Sequence, residues 1–550
     1  MKVYERLADA FVAEGTDHVF GMMGDGNMYW MNALIDRKVN CVEVRHEGVG
    51  MGMADGWARH RQTPGVATAT CGPGVTQLAT ACVVAARAES PVVAFVGEHP
   101  QKDPDYHQRL NQSRFADGVE TGFIRLATGD FTDEAVRRAF YTAKLERRPI
   151  MLSCPMDVQQ EKWDDDEPYR PSATLKPNRA GAMDMDALEK AADLIAKSKK
   201  PVIIVGRGAI WSDAGDAVLK LGERIGGLIG TSLRAKTWLA DKTEYHAGVS
   251  GLYATKATMQ LFHEADVVIG IGASLNRHTT EHGYIFPEAK YVHIDPKPHI
   301  VLGNGHGADV YVQSDGKEGL EALEALLEKR GFKQSGYRTG ETLERLSNMY
   351  DDRTEFKIEA GTIDPRLVVR AVDDLVPGDV GLFIGNGASS AITTMNTYKA
   401  RPYVHTSGFF GCIGQMLPTA MGATMANGNK PAVLVDGDAS TMMHLSDWDT
   451  VVRCKMPLLV VVLNDEALGS EYQKLRAHDM DPETSAIPSP DLGAVSRAYG
   501  GRGTLARTVE EVRKAVQEWV AKPGPMIIDS RISKAVINLP MRRVLYGKDE

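Results

Sequence analysis

Cysteine is scarce. Cys41, Cys71, Cys82, Cys154, Cys412 and Cys454 are scattered over 550 residues with no CxxC pair. That excludes a disulfide framework and a zinc site of the usual spacing. Long apolar runs are missing too, and none approaches the roughly 18 residues that span a bilayer. The amphipathic, charged start, Met1 to Phe11, lacks the apolar centre of a signal peptide. There is no basic tail, and a net charge of −9 argues against nucleic acid or an anionic membrane as the main partner. No short repeat of solenoid type is present. These absences predict a soluble protein of a reducing, cytoplasmic setting.

What is there is an alternation of apolar strands and helical patterns. Val92–Val96, Pro201–Val205, Asp266–Gly270, Tyr291–Asp295 and Pro525–Asp529 are continuous apolar runs, as are 432–435 and 458–463. Runs of that kind belong to parallel sheets covered on both faces. Polar stretches at 163–177 and about 331–360 separate three blocks. The expectation is an α/β chain of three doubly wound parallel-sheet domains, at 1–165, 185–335 and 360–550. Ligands of such sheets bind beyond the carboxyl ends of the strands.

The densest signal lies between Asp436 and Asp465. An apolar run leads into Asp436-Gly437-Asp438-Ala439-Ser440, and a second leads into Asn464-Asp465. Asp438 and Asp465, 27 residues apart, close two strands of one βαβ unit, so their ends can face each other. A hard cation such as Mg²⁺ takes oxygen ligands shared with phosphate and water. Gly437, Ala439 and Ser440 are small enough for backbone N–H groups to approach a phosphate. Spacing alone fits acidic turn residues capping helices equally well.

Two further motifs stand apart. In Arg45-His46-Glu47-Gly48-Val49-Gly50-Met51-Gly52-Met53-Ala54-Asp55-Gly56-Trp57-Ala58, small residues dominate, so something packs closely on this helix. Taken alone, Glu47 also reads as a glutamate welcome at a helix start. The segment His405-Thr406-Ser407-Gly408-Phe409-Phe410-Gly411-Cys412-Ile413-Gly414 reads alone as a glycine-rich turn before a helix near Gln415.

Taken together and in this order, the three motifs resemble those of thiamine-diphosphate (ThDP) enzymes of the acetolactate synthase, pyruvate decarboxylase and benzaldehyde lyase superfamily. The resemblance runs the length of the chain. It implies a pyrimidine-binding first domain, a central domain and a diphosphate-binding third domain. It makes Gly437-Asp438-Ala439 and Asn464-Asp465 the diphosphate motif, which in the family is Gly-Asp-Gly followed by Asn-Asn. Asp438, Asp465 and the Ala467 carbonyl would hold Mg²⁺, with Asp465 standing where the family has an amide. Glu47 would bond N1′ of the aminopyrimidine, and Ile413, with Gly411, would wedge the cofactor into its bent shape. Gly387, Ala388 and Ser389, with Leu468 and Gly469, would meet the diphosphate. The resemblance also implies a homodimer or homotetramer with active sites at the subunit interface.

The reaction it implies is C–C cleavage or joining: decarboxylation of a 2-oxo acid through a C2 ylid and an enamine, then protonation or acyloin formation. Asp25, in Gly24-Asp25-Gly26-Asn27, and Glu471 match proton-relaying residues of the pyruvate decarboxylases, and Gln112 an active-site glutamine of the synthases. From the residues alone, Asp25 reads as a turn former and Glu471 as a helix-face charge just as well. The chain departs from each subfamily. The His-His pair of the decarboxylases is missing, and 470–475 does not match the synthases' substrate-arginine region. Gly272–His278 stands where many synthases contact FAD, and Gly206-Arg207-Gly208 lacks the full dinucleotide fingerprint, so FAD is not expected. The middle block reads as a structural relic. Three other readings stay open: an acetolactate synthase-like transferase, a 2-hydroxyacyl-CoA or oxalyl-CoA type lyase, and a non-catalytic ThDP-binding regulator. The partner in the leading reading is a 2-oxo acid or an acyloin.

Overall fold

The computed structural model describes residues 1–164, 167–175, 183–299, 307–350 and 352–547; parts of the expected 163–177 linker lie outside the described residues. Three six-stranded sheets follow one another along the chain. The first holds β1 (His18–Gly21), β2 (Asn40–Glu43), β3 (Gly65–Ala69), β4 (Val92–Glu98), β5 (Gly122–Arg125) and β6 (Pro149–Pro155). The second holds β7 (Pro201–Val205), β8 (Leu228–Thr231), β9 (His246–Val249), β10 (Val267–Ile271), β11 (Lys290–Asp295) and β12 (Val310–Gln313). The third holds β13 (Gly381–Ile384), β14 (Val404–Thr406), β15 (Ala432–Gly437), β16 (Leu458–Asn464), β17 (Arg502–Ala506) and β18 (Met526–Arg531). Every neighbouring pair runs parallel. The α/β class expected from the sequence is the one found. Its cause shows in β16, Leu-Leu-Val-Val-Val-Leu-Asn, which is buried at every position because helices cover both faces.

The strand orders place the ligand crevices. The first sheet runs β2-β1-β3-β4-β6-β5 and the third β14-β13-β15-β16-β18-β17, the same winding twice. In each, the chain reverses direction beside its first strand, so the loops after β1 and β3, and after β13 and β15, open a crevice at the carboxyl ends. The second sheet runs β12-β11-β10-β7-β8-β9, a different doubly wound order.

The first and third sheets share one core. Helix Glu47–Arg61 is buried continuously from Gly48 to Arg59, and helix Met416–Ala426 along its whole length. They cross with backbones nearly touching. A Cβ on Gly56 would overlap the Thr419 carbonyl, and one on Gly422 the Met53 carbonyl. A Cβ on Gly50 would meet β1 at Gly21. The glycines that fill this stretch of sequence are therefore contact points on both sides of the helix. Val49, Met53 and Trp57 continue through Met416, Ala420 and Leu434 into a single apolar cluster. The central sheet has two clusters of its own.

Candidate active site

The crevice of the third sheet gathers the loops that the sequence singled out. After β13 the chain turns at Gly387 (φ +81°) into helix Ala388–Asn396. After β15 comes 437–440, and after β16 comes 465–469. Gly437 pairs with Leu463 across the sheet, so Asp438 and Asp465 leave neighbouring strand ends nearly level. Asn464 is not free for a ligand: its amide donates to Asp529 at 2.8 Å. Gly469 lies against the Asp465 carboxylate and the Ala388 methyl, so Ala388, Asp465 and Gly469 form one wall. They share a cavity of about 20 Å³ with Lys534, room for one water or one ion.

A residue that sequence reasoning passed over ties these loops together. Asp436, fully buried at the end of β15, accepts from Ser440 Oγ at 2.7 Å and from Gly437 N at 2.9 Å. It also accepts from the Asn386 backbone N–H. Ser440 Oγ in turn accepts from Gly414 N at 2.9 Å, and Asn386 Nδ2 donates to the Cys412 carbonyl at 3.2 Å. One carboxylate thus braces the loops at 385–389, 411–414 and 437–440. Gly385 is obligatory because a Cβ there would occupy the place of Asp436 Oδ1. Gly411 (φ +77°) and Gly414 (φ +87°) bracket Ile413 and set its position.

The electrostatics suit a cation. Burial pushes Asp438 up to about 6 and Asp465 up to about 7, and the Asp438 charge adds to the shift of Asp465. Two crowded, desolvated carboxylates resist ionising together, and a divalent cation removes that conflict. The Ala467 N–H donates to Asp465 Oδ1 at 3.2 Å, which fixes one oxygen. The donor set, oxygen only and beside glycine-lined backbone, fits Mg²⁺ and a diphosphate.

The first sheet supplies the other half. His46 caps helix Glu47–Arg61, accepting from Gly48 N at its Nδ1. Glu47 is half-buried, and its Oε1 faces Gly74 in the turn after β3; among the described residues its carboxylate has no hydrogen-bond partner. The run Gly72-Pro73-Gly74, which sequence reasoning also missed, makes room for it. Its signal was there: glycines packed just after an apolar strand. The two halves touch within the chain. The His46 and His444 rings lie 5.5 Å apart, Arg45 N donates to Asp447 Oδ1 at 2.8 Å, and Gln415 Nε2 reaches His444 Nε2 at 3.2 Å.

The three expected polar groups fare differently. Asp25 is exposed on the loop after β1, beside Tyr106. Glu471, on helix Gly469–Ala477, is also exposed and pairs with Lys474 at 3.2 Å. Gln112 is buried with both ends of its amide in use. Nε2 donates to the Gly97 carbonyl at 2.7 Å, and Oε1 accepts from Ser153 Oγ at 2.9 Å. Gly97 packs on Gly26, so Gln112 braces the Asp25 loop from behind.

In the central sheet the glycine-rich turn is closed. Gly206 N donates to the Ile271 carbonyl and Gly208 N to the Gly272 carbonyl, both at 2.9 Å. Those N–H groups are therefore spent within the protein.

Known proteins match along the chain. Models of thiamine pyrophosphate enzymes match in three places: the N-terminal TPP binding domain at residues 1–117, the central domain at 188–323 and the C-terminal TPP binding domain at 384–530. A probable acetolactate synthase large subunit of Methanocaldococcus jannaschii is 28% identical, over 98% of this chain and 93% of its own length. Acetolactate synthase 1, chloroplastic, of Nicotiana tabacum is 27% identical over 97% and 82%. The acetolactate synthase isozyme 2 large subunit of Escherichia coli is 27% identical over 96% and 95%.

Proposed function

Because the chain belongs to the thiamine-diphosphate-dependent enzymes of the acetolactate synthase and pyruvate decarboxylase superfamily, we propose that it is a Mg²⁺-assisted carboligase of the acetolactate synthase type. It would release CO₂ from one 2-oxo acid and join the remaining acyl unit to the carbonyl of a second. The observation that carries this reading is the free Glu47 carboxylate, set at a helix start in one half of a chain whose other half holds the Asp438–Asp465 cradle.

Asp438, Asp465 and the Ala467 carbonyl would hold the metal. The backbone of 387–389, 437–440 and 468–469 would hold the diphosphate, and Ile413 would support the rings. When bound, thiamine diphosphate supplies a nucleophilic carbon and an electron sink for breaking the bond to CO₂. Glu47 would accept a hydrogen bond from the pyrimidine N1′ and hold the proton there, with the Gly74 turn leaving the ring room. Gln112 would position the Asp25 loop. Asp25 and Glu471 are the candidates for moving protons, with Asp25 the better placed beside the Gly24–Asn27 turn.

Two things favour joining over protonation. The relatives that match from end to end are named acetolactate synthases. Both candidate proton donors are solvent-exposed, Glu471 in an ion pair with Lys474, whereas delivery of a single proton to a carbanion is best served by an enclosed acid. A dimer or tetramer completes the proposal, since the family builds its sites between subunits. The test is incubation with ThDP, Mg²⁺ and a panel of 2-oxo acids beginning with pyruvate. Carboligation gives two substrates consumed per CO₂ and a branched 2-hydroxy-3-oxo acid. One aldehyde per CO₂ would replace this reading with the decarboxylase one.

A further inference from the structure

A second cavity, of about 190 Å³, opens where the three sheets meet, lined among others by Arg59, Arg207, Arg234, Trp211, His405 and Phe409. Arg59 comes from the far end of the Glu47 helix. Arg207 and Arg234 follow β7 and β8, and Phe409 belongs to the loop that carries Ile413. The lining is strongly cationic. The guanidinium of Arg234 lies 3.9 Å from the Phe409 ring centre, that of Arg59 4.6 Å and that of Arg207 5.6 Å. Arg147 and Arg207 both stack on Trp211, at 3.4 and 3.9 Å.

The counter-charges do not balance. Arg59 is clasped by Asp55, with Nε to Oδ1 at 2.8 Å, and Arg207 meets Glu89 at 2.8 Å. Arg234 is exposed towards the cavity and makes no hydrogen bond or ion pair among the described residues. His405 Nε2 is buried without a partner. Lys236 Nζ, buried in the same wall, has a single acceptor, the Thr397 carbonyl. Five lining cations, Arg59, Arg207, Arg234, Lys236 and Arg401, thus face three carboxylates, Asp55, Glu89 and Asp373. Loss of water and the neighbouring arginines hold Arg207 well below its ordinary pKa, and loss of water brings the buried Lys236 down to about 8. A desolvated cation without a counter-charge is costly.

We propose that this cavity is a binding site for a small phosphate-bearing dianion. Planar guanidinium forks suit a tetrahedral oxyanion, which accepts bidentate, charge-assisted hydrogen bonds. A phosphate monoester carries about −1.5 to −2 at neutral pH, close to the excess left by five lining cations and three carboxylates. The occupant would bear on the cofactor cradle, because Arg59 and Arg234 hold Phe409 and its loop continues to Gly411 and Ile413. This site is separate from the diphosphate cradle and independent of which reaction the enzyme performs.

The experiment uses holoenzyme saturated with ThDP and Mg²⁺, so that the cofactor site is filled. Inorganic phosphate and, separately, malonate are titrated at constant ionic strength, read by calorimetry and by tryptophan fluorescence, since Trp211 and Trp238 line the cavity. Saturable phosphate binding, one per chain and tighter than malonate, is expected. Arg234→Gln should weaken it at least about tenfold, the scale of one charged hydrogen bond. Arg234→Lys keeps the charge without the fork and should fall between; it decides the matter if the glutamine variant does not fold. No saturable binding in the millimolar range, equal binding by the Arg234 variants, or preference for malonate would each overturn the proposal. Carboligase activity is not a readout, so failure here and failure of the proposed function are distinguishable.

Discussion

In the proposed reaction the chemistry turns on Glu47 and Asp465. Glu47 has no hydrogen-bond partner among the described residues, so Glu47→Gln should leave the fold unaltered while removing the proposed proton holder. Turnover should fall by about 10²–10⁴-fold, the span of general acid–base catalysis, with ThDP still bound. Near-normal CO₂ release by that variant would sink the assignment. Asp465 invites a test by pH. Its carboxyl stands at about 7 and that of Asp438 at about 6, both raised by burial. A carboxyl raised in the fold holds its proton more tightly than the unfolded chain does. Its contribution to the metal-free protein is therefore complete below pH 4 and is lost as pH climbs through 6 to 7. Asp465→Asn escapes that loss. Melting temperatures of the metal-free proteins should diverge from pH 5 to pH 8 in favour of the variant. Mg²⁺ affinity of the original protein should rise over the same range, because the cation must displace those protons.

The loops and helices around these residues carry most of the precision. Asp436 satisfies two backbone N–H groups and the Ser440 hydroxyl at once. Asp436→Ala would strand them, at about 1–3 kcal/mol for a buried group left unpaired; urea unfolding should show a loss of at least that size, with weakened ThDP binding. The Glu47 helix offers a second test. Gly56→Ala drives a methyl into the Thr419 carbonyl, and overpacking of this kind costs about 1–3 kcal/mol. Thermal unfolding should fall accordingly, whereas alanine at exposed Gly118, where a Cβ meets nothing, should cost far less. The small residues of this helix announced a close neighbour. Which neighbour it was, the helix Met416–Ala426 some 360 residues later, was not legible, because many helices could meet a glycine-rich face.

At the scale of the whole molecule, the first and third sheets act as one body. Their shared cluster runs through the crossing helices, while the central sheet packs on its own clusters. Denaturant unfolding followed by hydrogen exchange should therefore show the first and third sheets opening together and the central sheet separately. ThDP with Mg²⁺ should protect the first pair more than the central sheet. A single opening event for all three would contradict this partition. No helix among the described residues is long and apolar enough to cross a membrane.

By itself the sequence determined the class of fold, because continuous apolar strands are stable only between two covering layers. It also determined the cofactor motifs, because a carboxylate at a strand end and a glycine beside it are local facts. Only the tertiary structure decided three other things. It showed that the first and third sheets repeat one winding, a likeness of topology that has left no obvious repeat in the residues. It turned Gln112 inward and left Glu471 on the surface, since exposure depends on what the rest of the chain covers. And it brought Arg59, Arg207, Arg234, Lys236 and Arg401 around one cavity from separate stretches of sequence. Their charges mean little apart and acquire a function to propose only when the fold gathers them around one cavity.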